Sequence, residues 1–199
     1  MWSGDILVHC GDVTTHGSRE ELFNFLSWFS KQNFKIKIFI AGNHDLCLDK
    51  NKHGDSYVSK NEIILHYPNL LYLHGDRLIV NDIKFYGYPY TLPHLNMAFN
   101  LPERELEIES SKIPLDTDIL ITHGAPYGIL DCTYNGENTG SRSLEERVHV
   151  VKPKIHSFGH IHEATGKLDS NETLFINSSV HTVIWKGDYK NLIACKIDL

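Results

Sequence analysis

The sequence predicts an α/β layered domain, and three observations carry that expectation. Short apolar runs rich in β-branched residues alternate with amphipathic segments; most of these runs end in a polar loop marked by glycine; and 199 residues with 41% hydrophobic content suit one sizeable core rather than two. Residues 1–199 are therefore read as a single domain.

Ile6 to Val8 is the first buried strand, ending at Gly11-Asp12. Ser18 and Glu21 have capping-box spacing, and Leu22, Phe25, Leu26 and Phe29 then fall at helical intervals, so a helix opens there and ends near 31–33. Ile36 to Ile40 is the next strand, running straight into Ala41-Gly42-Asn43-His44-Asp45. The polar stretch from Lys50 to Ser59 reads as an exposed loop. Leu78 to Val80 and Ile83 to Phe85 flank Asn81-Asp82, a two-residue hairpin turn. Pro102 to Ser111 reads as a short charged helix, Ile119 to Thr122 as a buried strand ending at His123-Gly124, and Ser141 to Val151 as another helix. Ile155 to Phe158 is a strand that ends at Gly159-His160-Ile161-His162. Strands near Leu174 to Ile176, Val180 to Trp185 and Leu192 to Ile197 follow and read as antiparallel.

Charge and cysteine usage narrow the function classes. The net charge is −6, with no run of Lys or Arg that would make an electrostatic footprint for duplex nucleic acid, so a nucleic-acid partner is not expected. Cys10, Cys47, Cys132 and Cys195 stand singly, which argues against a zinc ribbon and a secreted disulfide framework, and for a reducing compartment. The N-terminus lacks the basic start and long apolar segment of a signal peptide, and no stretch reaches the length of a bilayer span. The expectation is a cytoplasmic protein with no membrane partner.

Four predicted strands end in a tight loop that carries a metal-ligand type: Asp12, Asn43 with His44 and Asp45, His123, and His160 with His162. Side chains set at strand ends converge on one edge of a sheet, where open α/β folds place their sites. Taken singly the signals are ordinary. Gly-Asp is a common turn, and a histidine before glycine is commonly a capped or surface residue. A His-x-His pair, however, points both imidazoles the same way along a strand. In this order, each at a strand end, the four together read as a metal site. Carboxylate, amide oxygen and imidazole suit Mn, Fe or Zn better than Ca or Mg. Two such metals bridged by a carboxylate would clamp a phosphate and generate hydroxide at neutral pH, which is the chemistry of phosphate-ester hydrolysis.

These four motifs resemble, in order, the pattern of the calcineurin-like metallophosphoesterases. The stretches Asp118 to Gly124 and Phe158 to Glu163 are similar to the small metallophosphoesterase-domain-containing branch of that family. The resemblance implies a four-layer αββα sandwich of two mixed β-sheets flanked by helices. It implies that Asp12 bridges two metals, that Asn43, His123 and His160 complete the second metal site, and that His162 serves the first. His44 would be the catalytic histidine, stabilising the transition state and protonating the leaving oxygen, with Asp45 orienting it.

The family's opening Asp-x-His motif, which supplies two more ligands to the first metal, has no counterpart before Gly11. The expectation is thus a well-formed second site, an incomplete first one and an N-terminally short domain without its first strand. Either the domain is a short version or the true start lies upstream. The implied function is hydrolysis of a small phosphate ester, a phosphodiester in first place, by metal-activated hydroxide, with activity reduced by the missing motif. The rival is a non-catalytic scaffold of this fold that binds a protein partner.

Other residues have readings of their own. His9 reads as a packed strand histidine, and His16 as a loop residue facing substrate or solvent. Tyr88 to Thr91 and Met97 to Asn100 read as a wall of the substrate cleft. Asn177-Ser178-Ser179 is either a simple turn or a border of the site, and Arg142 either a solvated helix start or a phosphate partner.

Overall fold

The computed structural model describes residues 4–179. In chain order its elements are β1 (Gly4–His9), α1 (Arg19–Ser30), β2 (Phe34–Ile40), α2 (Lys50–His53), α3 (Lys60–His66), β3 (Leu71–Leu73), β4 (Asp76–Val80), β5 (Ile83–Tyr88), α4 (Glu103–Ser111), β6 (Ile119–Thr122), α5 (Arg142–Val151), β7 (Ile155–Phe158), β8 (Gly166–Asp169) and β9 (Leu174–Asn177). They build two sheets, one with strand order β1-β2-β3 and one with order β4-β5-β6-β7-β9-β8.

Alternation along the strands explains how the layers stack. In β2, Ile36, Ile38 and Ile40 face the six-stranded sheet, whereas Phe39 and Ala41 face outward onto Leu22, Leu26 and Phe29 of α1 and Ile63 of α3. In the other sheet Phe85, Ile119, Ile121, Ile155 and Ile176 point into the gap between the sheets. Tyr86, Tyr88, Leu120, Phe158 and Phe175 point out onto Leu106 of α4 and Leu144 and Val148 of α5. The result is helix, sheet, sheet, helix, the four-layer αββα sandwich. Gly87 lets the sheets close up: a Cβ there would lie 2.3 Å from Leu73 Cβ and 2.9 Å from Ile40 Cγ2.

Helix α1 starts where the capping box places it, with Ser18 Oγ accepting the Glu21 N–H at 3.1 Å and Glu21 accepting the Ser18 N–H at 3.2 Å. The β4–β5 turn has Asn81 at φ 49° and Asp82 at φ 63°, the left-handed pair that a type I′ hairpin requires.

Three expectations change. The strand at Leu174–Asn177 pairs in parallel with β7 and antiparallel only with β8. The reason is that β8 runs back along the edge and a hairpin then inserts β9 between β8 and β7. The described strands of the smaller sheet all pair in parallel, so the mixed pairing belongs to the six-stranded sheet. The stretch 50–59 is not a plain exposed loop: it carries α2 and a 3-10 turn, and Val58 is buried with its N–H on the Cys47 carbonyl at 2.8 Å. The strands expected at Val180 to Trp185 and Leu192 to Ile197 lie outside the described residues.

Candidate metal centre

The parallel strands β1, β2, β6 and β7 all end on the same side of the sandwich, and the loops that follow them meet there. Asp12 and His160 are held at φ 57° and 70°, a backbone region that non-glycine residues seldom occupy and that clusters at functional sites. Gly42 allows the loops to touch, because a Cβ there would lie 2.3 Å from Asp12 Oδ1 and 2.5 Å from His123 Cε1. Asp12, His123 and His160 each offer a donor atom within 4.8 Å of the other two.

His123, 1% exposed, is the hub. Its Nδ1 lies 2.9 Å from the Cys10 carbonyl, which can only accept, so Nδ1 carries the hydrogen and a neutral ring has its lone pair at Nε2. That lone pair faces Asn43 Oδ1 at 2.8 Å and Asp12 Oδ1 at 3.4 Å. Three electron-rich atoms pointed at one another repel unless a positive charge lies among them, and a proton on Nε2 or a metal ion in its place supplies one. A carbonyl behind the distal ring nitrogen is also the usual way to orient a metal-binding imidazole. Burial pushes His160 down to about 3, so its ring is neutral and able to ligate. Burial alone would raise Asp12, but positive charge on the His123 ring when it carries a second proton, and the His44 N–H, outweigh it and hold the carboxylate below its usual range in the metal-free centre. The donor set therefore fits a divalent cation.

Residues 2–164 match the family model described as calcineurin-like phosphoesterase. The chain belongs to that family. It is 38% identical over 169 residues to a probable rhamnogalacturonate lyase C of Emericella nidulans, covering 82% of this chain and 16% of that protein. It is 34% identical over 198 residues to human metallophosphoesterase domain-containing protein 1, covering 90% of this chain and 61% of the relative. The chain thus spans less than two thirds of either relative's length. Among solved structures, TT1561 of Thermus thermophilus superposes with a TM-score of 0.63 at 12% identity, over 88% of this chain and 76% of that one, which is likeness of fold.

The remaining phosphoesterase motif residues fall in different places. His44 is half-buried; its N–H donates to Asp12 Oδ1 at 2.9 Å, and its Nδ1 lies 2.9 Å from the Thr15 carbonyl. Asp45 is fully buried. Its carboxylate accepts from the N–H groups of Val13, Thr14 and Gly42 and from the Thr14 hydroxyl, at 2.7–3.2 Å. It therefore grips the backbone of the Asp12 and Asn43 loops, and its hold on His44 runs through that backbone rather than through the ring. Burial, then the charge of Asp12, pushes Asp45 up to about 6 against those four donors.

His162 is exposed at the start of a 3-10 turn, His162–Ala164, outside the cluster formed by Asp12, His123 and His160. Strand alternation does not relate it to His160, because β7 stops at Phe158 and His160 is left-handed. His9 is half-buried against Phe25 and Phe29, and loss of solvent around its ring pushes it down to about 4. His16 is exposed and paired with Glu21 at 3.1 Å. Asn177 Nδ2 donates to the Leu130 and Ile161 carbonyls, at 3.0 and 2.8 Å, bracing the loop that carries His160 and His162. Arg142 stacks on Tyr127, its guanidinium carbon 3.7 Å from the ring centroid.

Sequence reasoning missed two supports. His156 lies 2.9 Å from Thr122 Oγ1 beneath the His123 loop; its period-2 relation to Phe158 in β7 was the available signal. Met97 lies against Asn43, and no local pattern points to that contact. Among the described residues, no helix is long and apolar enough to cross a membrane.

Proposed function

We propose that this chain hydrolyses a phosphate ester, a small phosphodiester in first place, using a divalent transition metal (Mn, Fe or Zn) held by Asp12, Asn43, His123 and His160. The observation that carries this reading is the convergence of Asp12 Oδ1 and Asn43 Oδ1 on His123 Nε2, with His160 beside them. A bound cation supplies Lewis-acid polarisation of a phosphoryl oxygen and a nucleophile from water at neutral pH. The Cys10 carbonyl keeps His123 in the ligating tautomer, and burial keeps His160 neutral. His44, anchored to Asp12 through its N–H, serves as the catalytic histidine beside the leaving group, and Asp45 sets its place by holding the loop backbone. His162 is assigned to the first metal position. A reducing, cytoplasmic setting is part of the same reading, since Cys10 and Cys47 are buried and Cys132 is an exposed free thiol.

The rival, a phosphoesterase-like scaffold that binds a protein partner, draws on the position of His162 outside the cluster. Turnover of bis-p-nitrophenyl phosphate with added Mn²⁺ separates the two. The wild type is expected to exceed His44→Ala by about 100-fold, the low end for removing a general acid. Equal, background-level rates in both proteins would sink the enzyme reading.

A further inference from the structure

Segment 96–99 is fastened to the chain around Asn43 at three points. Asn96 Oδ1 accepts from Lys52 Nζ at 2.6 Å, the Ala98 N–H donates to the Asn43 carbonyl at 3.0 Å, and the Phe99 N–H donates to Asp49 Oδ2 at 3.0 Å. Between these ties the half-buried Met97 places its Sδ 2.9 Å from Asn43 Nδ2. The other end of the same amide faces the centre, with Oδ1 2.8 Å from His123 Nε2.

We propose that Met97 is a positioning residue that fixes the Asn43 amide with its oxygen, rather than its nitrogen, toward the metal. The proposal rests on reading Asn43 as a ligand and goes beyond it. The two ends of a carboxamide are nearly the same size, so shape alone does not choose between its two orientations. Only the oxygen can ligate a cation, because the amide nitrogen offers hydrogens. A thioether sulfur has lone pairs and no hydrogen to give, so it accepts from NH₂ and repels a carbonyl oxygen in the same place. The flipped amide would set oxygen against sulfur at one end and NH₂ in the cation's place at the other. Asn43 is only 1% exposed, so solvent does little to even out that preference. Leucine at position 97 would fill a similar volume without the acceptor.

The test is calorimetric titration of chelator-stripped full chain with Mn²⁺, alongside thermal unfolding of the metal-free protein. Met97→Leu is expected to weaken Mn²⁺ binding about tenfold, as removal of a group that orients a ligand does. The metal-free melting point should move by less than about 2 °C. Met97→Gln, whose Oε1 accepts but whose NH₂ also lets the flipped amide form, should recover only part of the lost affinity. In an Asn43→Ala background the leucine substitution should have no further effect, since the amide it acts on is gone. Unchanged affinity in Met97→Leu overturns the proposal, as does equal loss in the leucine and glutamine variants or an undiminished leucine effect without Asn43. If leucine also lowers the melting point, the glutamine variant and the double variant still decide. If the wild type itself takes up no Mn²⁺, the metal reading falls and this inference falls with it, an outcome distinct from failure of Met97 alone.

Discussion

The candidate centre brings together two side chains from each sheet, Asp12 and Asn43 from one and His123 and His160 from the other, and each pair is braced by one buried ionisable residue, but the two ties are built differently. On the side of the three-stranded sheet, Asp45 accepts four hydrogen bonds directly from the loops that carry Asp12 and Asn43. On the side of the six-stranded sheet, His156 makes one bond, to Thr122 Oγ1. That hydroxyl in turn donates to the Gly124 carbonyl at 2.7 Å, so the ring must be the donor to it. Burial pushes Asp45 up to about 6 and His156 down to about 3, each toward its neutral form. The first tie is multivalent and acts on the ligand loops themselves, whereas the second acts one residue away from its ligand. Breaking the first should dismantle the centre; breaking the second should loosen it.

The largest effect is expected from Asp45→Ala, which leaves three backbone N–H groups and a hydroxyl without their acceptor. A loss of about 3–5 kcal/mol in urea unfolding of the metal-free protein is expected. A loss under about 1 kcal/mol would show that the loops hold themselves and would erase the contrast.

The second effect is on acid stability. The folded pKa of His156 lies below the ordinary 6.5, so its contribution is complete above pH 6.5 and drains away as pH falls toward about 3. Over that span the ring costs up to about 5 kcal/mol, because the unfolded chain takes up a proton that the native state refuses. His156→Gln should therefore flatten the decline in urea midpoint between pH 7 and pH 4. It should not abolish it, since His9 and His160 are depressed in the same direction. Parallel pH profiles in variant and wild type would remove His156 from the account.

The smallest effect is Thr122→Val, which keeps the shape and strands the His156 donor. A cost of about 1–2 kcal/mol at pH 7 is expected, with a weaker effect on Mn²⁺ affinity than Asp45→Ala produces. If Thr122→Val proves the more damaging of the two, the ranking of the ties is reversed.

Much of this was legible in the chain because it is local. The capping box at Ser18 and Glu21, the β4–β5 hairpin and the strand-end motifs each need only neighbouring residues to be recognised. The features that were not legible depend on distant partners. Leu71–Leu73 is a strand because it lies beside Ile38 to Ile40, and Gly166–Asp169 because β9 returns alongside it; neither has enough apolar alternation to announce itself. His160 and His162 look like a strand pair in sequence, yet β7 ends before them and the backbone at His160 is left-handed. Asp45 looked like a partner for the His44 ring, but its acceptors are occupied by backbone groups some thirty positions away as well as by its own turn. Met97 reaches Asn43 across a sequence separation of 54, beyond any pattern in the residues themselves.

The bond from His123 Nδ1 to the Cys10 carbonyl spans the seam between the two sheets. A cation seated among donors from both layers would act as a bolt through that seam, locking one sheet in lateral alignment with the other. Loading with metal should then slow backbone hydrogen exchange in β1, β2, β6 and β7 together, and stripping it should let the layers breathe independently.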